Sequence, residues 1–116
     1  YRHGLPLDAD LVMDVRFLPN PYFEKKLKKL TGKNRAVKDF LYRKPETKKF
    51  LGQFNQFLKT SLQAYQKEGK AYLTIAFGCT GGRHRSVAIG EWVARNLKKW
   101  GYTVNIWHRD INKEIQ

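Results

Sequence analysis

A β-prone run, Ala71-Tyr72-Leu73-Thr74-Ile75-Ala76-Phe77, passes directly into the loop Gly78-Cys79-Thr80-Gly81-Gly82-Arg83-His84-Arg85-Ser86. An apolar series at helical spacing follows: Val87, Ile89, Trp92, Val93, Leu97 and Trp100, closed by Gly101. A strand, a glycine loop and an amphipathic helix in that order constrain the fold more than any other feature. Such a unit belongs to a layered α/β sheet, in which ligands bind outside the carboxyl ends of the strands. The near-continuous apolar character of the run marks it as a central strand.

The remaining elements fit that class. Leu11-Val12-Met13-Asp14-Val15-Arg16-Phe17 reads as a short strand stopped by Pro19-Asn20-Pro21, because proline cannot donate to the ladder. Residues 22–30 suggest a basic helical turn or two, ended by Thr31-Gly32. A short helix is expected over 35–43, with Val37, Phe40 and Leu41 on one face and Pro45 as its stop. From Pro45 to Glu68 the residues Phe50, Leu51, Phe54, Phe57, Leu58, Leu62 and Tyr65 recur at helical spacing, and Gly69 suits the cap. Tyr102–Trp107 reads as the last strand, and the polar tail from Asp110 is expected to fray. Strands separated by helices pair in parallel, so the expected fold is a single α/β domain, a mainly parallel sheet flanked by helices.

A length of 116 residues suits one domain, and 41% hydrophobic residues suffice for a core. One cysteine excludes an internal disulfide and any multi-cysteine zinc site, which points to a reducing cytoplasm. No apolar run approaches the roughly 20 residues needed to span a bilayer. The opening Tyr1-Arg2-His3-Gly4 lacks the apolar stretch of a signal peptide and reads as a piece of a longer protein. Lys and Arg number 23 against 10 acids, a formal +13. That surplus implies polyanionic partners, nucleic acid ahead of a merely solvated basic face.

The loop has the parts of a phosphate site. A helix start offers N–H groups and the positive end of a dipole. Gly81 and Gly82 let the backbone approach an anion closely, and Thr80 and Ser86 add hydroxyl donors. Arg83 and Arg85 add forked charge suited to phosphate, while His84 can titrate near neutrality. A second reading arises from Cys79, five residues, then Arg85 and Ser86, the Cys-x5-Arg-Ser/Thr spacing of cysteine-dependent phosphatases. In that alternative Cys79 is the nucleophile, Arg85 the phosphate clamp and Asp14 or Asp110 the general acid. Gly78 stands where those enzymes usually carry histidine.

Other polar residues could converge on the same face: His3, the Asp14 and Arg16 of the first strand, Asn20, and His108-Arg109-Asp110. Asp14 within an apolar strand calls for a partner, and Arg16 is a candidate on the same side, structurally or functionally. His3, His84, His108 and Cys79 match no standard ligand spacing, so no metal is expected. There is no Walker A sequence and no G-x-G-x-x-G, hence no expected nucleotide cofactor. Eleven Lys/Arg against three acids lie between Glu24 and Lys49. Lys25, Lys26, Lys28 and Lys29 are either a solvated helix face or a phosphate-backbone contact surface.

Several segments carry a family likeness. Gly4–Asp10, Asp14–Pro21, Leu30-Thr31-Gly32, Tyr72–Ala76, Gly78–Val87 and His108-Arg109-Asp110 resemble the C-terminal domain of the RapZ/YvcJ proteins across nearly the whole chain. The resemblance implies a fold like a subdomain of phosphofructokinase, and residues 1–116 as the C-terminal domain of a longer protein. The N-terminal P-loop domain of such proteins, which binds ATP or GTP, would be absent here. It further implies a non-catalytic domain that senses glucosamine-6-phosphate or a similar phosphorylated metabolite. In the enterobacterial branch the same domain binds small regulatory RNA and delivers it to an endoribonuclease, and relatives assemble through it, which implies a homo-oligomer. By motif, His3, Thr80, Gly81, His84 and Arg85 look like sugar-phosphate ligands, with Cys79, Gly82, Arg83 and Ser86 in the same loop. Asp14, Arg16, Asn20, His108 and Arg109, from the strand-end reading above rather than the resemblance, would support them. From the charge reading rather than the resemblance, Lys25, Lys26, Lys28, Lys29, Arg83 and Arg109 would contact RNA; the Lys25–Lys29 cluster is more basic than the enteric branch leads one to expect. Enteric relatives end in a Lys/Arg-rich tail, whereas this chain ends Ile111–Gln116, which implies another bacterial lineage. A domain serving only to assemble the P-loop partner is the further alternative.

Overall fold

The computed structural model describes residues 9–69, 72–78 and 84–104. Two parallel strands, β1 (Leu11–Asp14) and β2 (Ile75–Gly78), pair in register from Leu11 opposite Ile75 to Asp14 opposite Gly78. Between them the chain makes a 3₁₀ turn (Pro21–Phe23), helix α1 (Arg35–Tyr42) and helix α2 (Pro45–Lys67); helix α3 (Arg85–Lys99) follows β2. The domain is thus α/β, with a small parallel sheet and three α-helices among the described residues, as the alternation of patterns predicts.

Local chemistry sets the boundaries. Asn34 caps α1 by accepting the Ala36 N–H at 2.9 Å, and the helix stops ahead of Pro45, which opens α2. Gly69 (φ +76°) and Gly101 (φ +94°) end α2 and α3 in the left-handed region that only glycine enters cheaply. After α3, the Gly101 N–H returns to the Lys98 carbonyl and the Tyr102 N–H to that of Leu97, a Schellman closure.

The core joins every layer. Val15 from the end of β1, Val37 and Leu41 of α1, Leu51, Phe54 and Leu58 of α2, and Ala88, Ile89 and Val93 of α3 form one buried cluster. Each fully buried Leu, Ile or Val contributes about 1.5–3 kcal/mol by leaving water. A half-buried ion pair, Lys38 Nζ to Glu91 Oε1 at 3.0 Å, and the Tyr42 hydroxyl, donating to the Ala88 carbonyl at 2.8 Å, fasten α1 to α3.

Four expectations are corrected. The first strand ends at Asp14 rather than Phe17, because the Asp14 carboxylate accepts the Arg16 N–H and turns the chain; Arg16 therefore lies beyond the strand. Residues 22–30 form no α-helix. Beyond the 3₁₀ turn there is a series of turns, in which the Leu27 and Lys28 N–H groups both reach the Glu24 carbonyl. Prolines at 19 and 21, and four lysines within five residues, leave too little to propagate a helix. The second strand begins at Ile75, not Ala71. Just before it, the Asp10 carboxylate takes the Thr74 N–H, and the Thr74 carbonyl takes the N–H groups of Asp10 and Leu11. Among the described residues β2 pairs with β1 alone. Tyr102–Val104 are irregular, and the rest of the expected last strand, with the tail, lies outside the described residues.

Candidate functional site

Three chain ends meet in one place. Asp14 and Gly78 are neighbours at the carboxyl ends of the parallel strands, and the Val15 N–H extends the ladder to the Gly78 carbonyl at 2.7 Å. The loop leaves from Gly78, and α3 begins at Arg85, where the helix ladder opens with the Ala88 N–H on the His84 carbonyl at 3.0 Å. No acidic residue stands in the first turn of α3, so the positive end of its dipole is not offset from within the helix. A strand end leading to a helix start in this order is an arrangement that favours an anion.

Arg85 organises this corner. Its side chain is buried, with the residue 4% exposed. Nη1 donates to the Leu18 carbonyl at 3.1 Å and to the Arg16 carbonyl. Its Nε is buried and makes no hydrogen bond among the described residues. The guanidinium therefore ties the turn after β1 to the start of α3 and fixes a positive charge there. Sequence reasoning assigned Arg85 to the ligand; the structure adds a fold-supporting role for the same group.

Asp14 is half-exposed rather than buried. Its Oδ2 accepts Arg16 Nε at 2.6 Å and lies 2.6 Å from Nη2, while Oδ1 accepts the Arg16 N–H at 2.9 Å. The Arg16 guanidinium holds the Asp14 carboxyl below the usual carboxylate range, chiefly through the side-chain hydrogen bond. A carboxylate so held stays ionised at neutral pH and is poorly suited to act as a general acid. Asn20 supports locally: its Oδ1 accepts the Tyr22 N–H at 3.0 Å and caps the 3₁₀ turn. His84 and Ser86 are both buried at the loop's exit.

Lys25, Lys26, Lys28 and Lys29 are all exposed on the turns that follow the 3₁₀ segment. Immediately after them, Gly32 is packed against α3. A Cβ there would fall 2.3 Å from the His84 carbonyl oxygen and 2.5 Å from the Ala88 nitrogen. Only a residue without a side chain allows that approach. The lysine segment is thus held at both ends to the first turn of α3, through Arg85 on one side and Gly32 on the other.

His3, Cys79, Thr80, Gly81, Gly82, Arg83, His108, Arg109 and Asp110 lie outside the described residues. Sequence reasoning missed Tyr22 and Phe23. Lys28 Nζ sits 4.7 Å from the Tyr22 ring centroid, and Phe23 meets Tyr22 edge-on at 5.9 Å. Two aromatics directly before a lysine run were the available signal.

Fold and site together define a small α/β domain built around one strand–loop–helix unit with a basic flank. Residues 1–112 match the RapZ C-terminal domain, and the chain belongs to that family. It is 54% identical over 113 residues to a protein of Geobacter metallireducens and 52% identical over 113 residues to one of Carboxydothermus hydrogenoformans. A Limosilactobacillus reuteri protein is likewise 52% identical. All three are named nucleotide-binding protein; the match covers 97% of this chain but only 39–40% of each relative.

Proposed function

We propose that this domain is a non-catalytic binding module. Its loop captures an amino-sugar phosphate such as glucosamine-6-phosphate, and its basic surface binds small regulatory RNA as an adapter for RNA decay. The observation that carries the reading is the buried Arg85 guanidinium at the start of α3, bonded to the turn that follows β1, whose end at Asp14 is paired with the end of β2 at Gly78. A fixed cation and a helix dipole at one helix start suit a phosphate monoester. The formal charge of +13 and the four exposed lysines support a polyanionic second ligand. Nucleotide binding, which the relatives' names record, is assigned in this reading to the portion of those proteins that this chain does not span. Homo-oligomeric assembly in the cytoplasm and delivery of RNA to an endoribonuclease belong to the same proposal. Among the described residues, no helix is long and apolar enough to cross a membrane.

Calorimetric titration with glucosamine-6-phosphate, against glucose-6-phosphate and inorganic phosphate, tests the sensor. Phosphate release is assayed in the same samples. Saturable binding of the intact sugar phosphate, lost in Thr80→Ala and Arg83→Ala, is expected. Absence of binding sinks the sensor, and turnover abolished by Cys79→Ser would replace it with a phosphatase.

A further inference from the structure

We propose that Tyr22, Phe23 and the following lysines form a stacking platform for single-stranded nucleic acid, with Phe23 taking a base and the lysines taking flanking phosphates. The proposal rests on the RNA-binding reading above and names the surface and the form of nucleic acid.

Phe23 is 81% exposed although it sits on an ordered 3₁₀ turn. The turn is fixed by the Asn20 cap and by the Glu24 N–H on the Pro21 carbonyl at 3.0 Å. Its neighbour Tyr22 holds it edge-on, the two ring planes 83° apart, and Lys28 Nζ lies 4.7 Å from the Tyr22 centroid. The ring is therefore displayed rather than left over from the core, since Pro21 and Leu27 turn inward from the same segment. It is the one large apolar side chain exposed between Pro21 and Leu30, and Lys25, Lys26, Lys28 and Lys29 follow it closely in sequence.

One open ring followed in sequence by four exposed lysines narrows the partner. A stable protein interface buries roughly 800 Å² per partner, far more than one phenyl ring offers. Membrane-surface helices insert a whole apolar face, which this turn lacks. A base has a planar face for the ring, and its phosphates carry the charge the lysines require. Duplexes keep their bases stacked inside, so the ring selects unpaired strands.

The test compares the intact chain with Phe23→Leu, Phe23→Trp and Lys25→Glu/Lys26→Glu. Probes are an oligouridylate of about twelve nucleotides and an RNA duplex, each across a salt series. Phe23 is exposed, so its replacement leaves the fold intact. Phe23→Leu is expected to bind the oligouridylate about five- to hundredfold more weakly with an unchanged salt slope, Phe23→Trp to bind at least as well as the parent, and duplex binding to hold. Charge reversal flattens the salt slope for both probes. If Phe23→Leu binds the single strand as well as the parent, or loses both probes equally, the platform is refuted while RNA binding survives. If the parent binds neither probe, the RNA reading itself falls. Tighter binding to phosphatidylserine vesicles than to oligouridylate, or Phe23-dependent self-association by sedimentation, would overturn the proposal in favour of a membrane or a second copy.

Discussion

Arg85 Nη1 donates to the carbonyl of Leu18, sixty-seven residues earlier in the chain, at 3.1 Å. That bond, with its companion to the Arg16 carbonyl, closes the turn after β1 onto the helix that follows the loop. Arg85→Ala would leave the two carbonyls without this donor in a buried setting. Removing a buried charged donor costs about 2–4 kcal/mol, and urea unfolding measures it. A drop in ligand binding in Arg85→Ala is therefore interpretable only beside its unfolding curve, whereas Arg85→Lys keeps the charge but loses the fork.

Gly32→Ala is expected to destabilise by about 2–3 kcal/mol or more, since the new methyl meets backbone of α3 rather than a movable side chain. Gly52 is the control: a Cβ there meets nothing within 4 Å, and alanine in an exposed helix position gains about 0.5–1 kcal/mol. Thermal melts of the two variants should move in opposite directions.

Tyr42→Phe removes the hydroxyl's bond to the Ala88 carbonyl and is expected to cost about 1 kcal/mol at neutral pH. Burial pushes the Tyr42 phenol up to about 12 from an ordinary value of 10.0. Because the folded value is the higher one, this contribution is complete below pH 10 and is lost as pH rises toward 12. The Tyr42→Phe variant should show a shallower alkaline decline than the parent, read from unfolding midpoints at stepped pH.

Asp14→Asn tests the exposed pair with Arg16. The folded carboxyl titrates below its ordinary 3.8, so its contribution is present above that value and fades as pH falls through the lower folded one. Both groups are well exposed, so the effect at neutral pH should stay below about 1 kcal/mol in a double-mutant cycle. A larger loss would mean that the turn after β1, and not the ion pair, depends on Asp14.

Thr47 is fully buried in α2, and its hydroxyl has no hydrogen-bond partner among the described residues. Thr47→Val keeps nearly the same shape and removes that polar atom, so it is expected to stabilise by about 1 kcal/mol in urea titration.

Much of this was readable along the chain. Helices α1, α2 and α3 follow apolar spacings with capping residues beside them, because helix periodicity and caps are local and recur every few residues. Parallel pairing of the two strands followed from the intervening helices. What only tertiary structure decided involves partners far apart in sequence. Where β1 stops depends on Asp14 folding back on Arg16. The placement of Gly32 depends on a helix more than fifty residues later, and nothing in Leu30-Thr31-Gly32 announces it. The lysine segment lacked a helix because capping and proline geometry outweighed a weak local propensity. Arg85 shows the distinction most clearly. Its charge at the start of a helix was legible from sequence, but its attachment to the Arg16 and Leu18 carbonyls was not. A buried guanidinium takes whichever acceptors the fold brings to it, and those are chosen by packing rather than by neighbours in the chain.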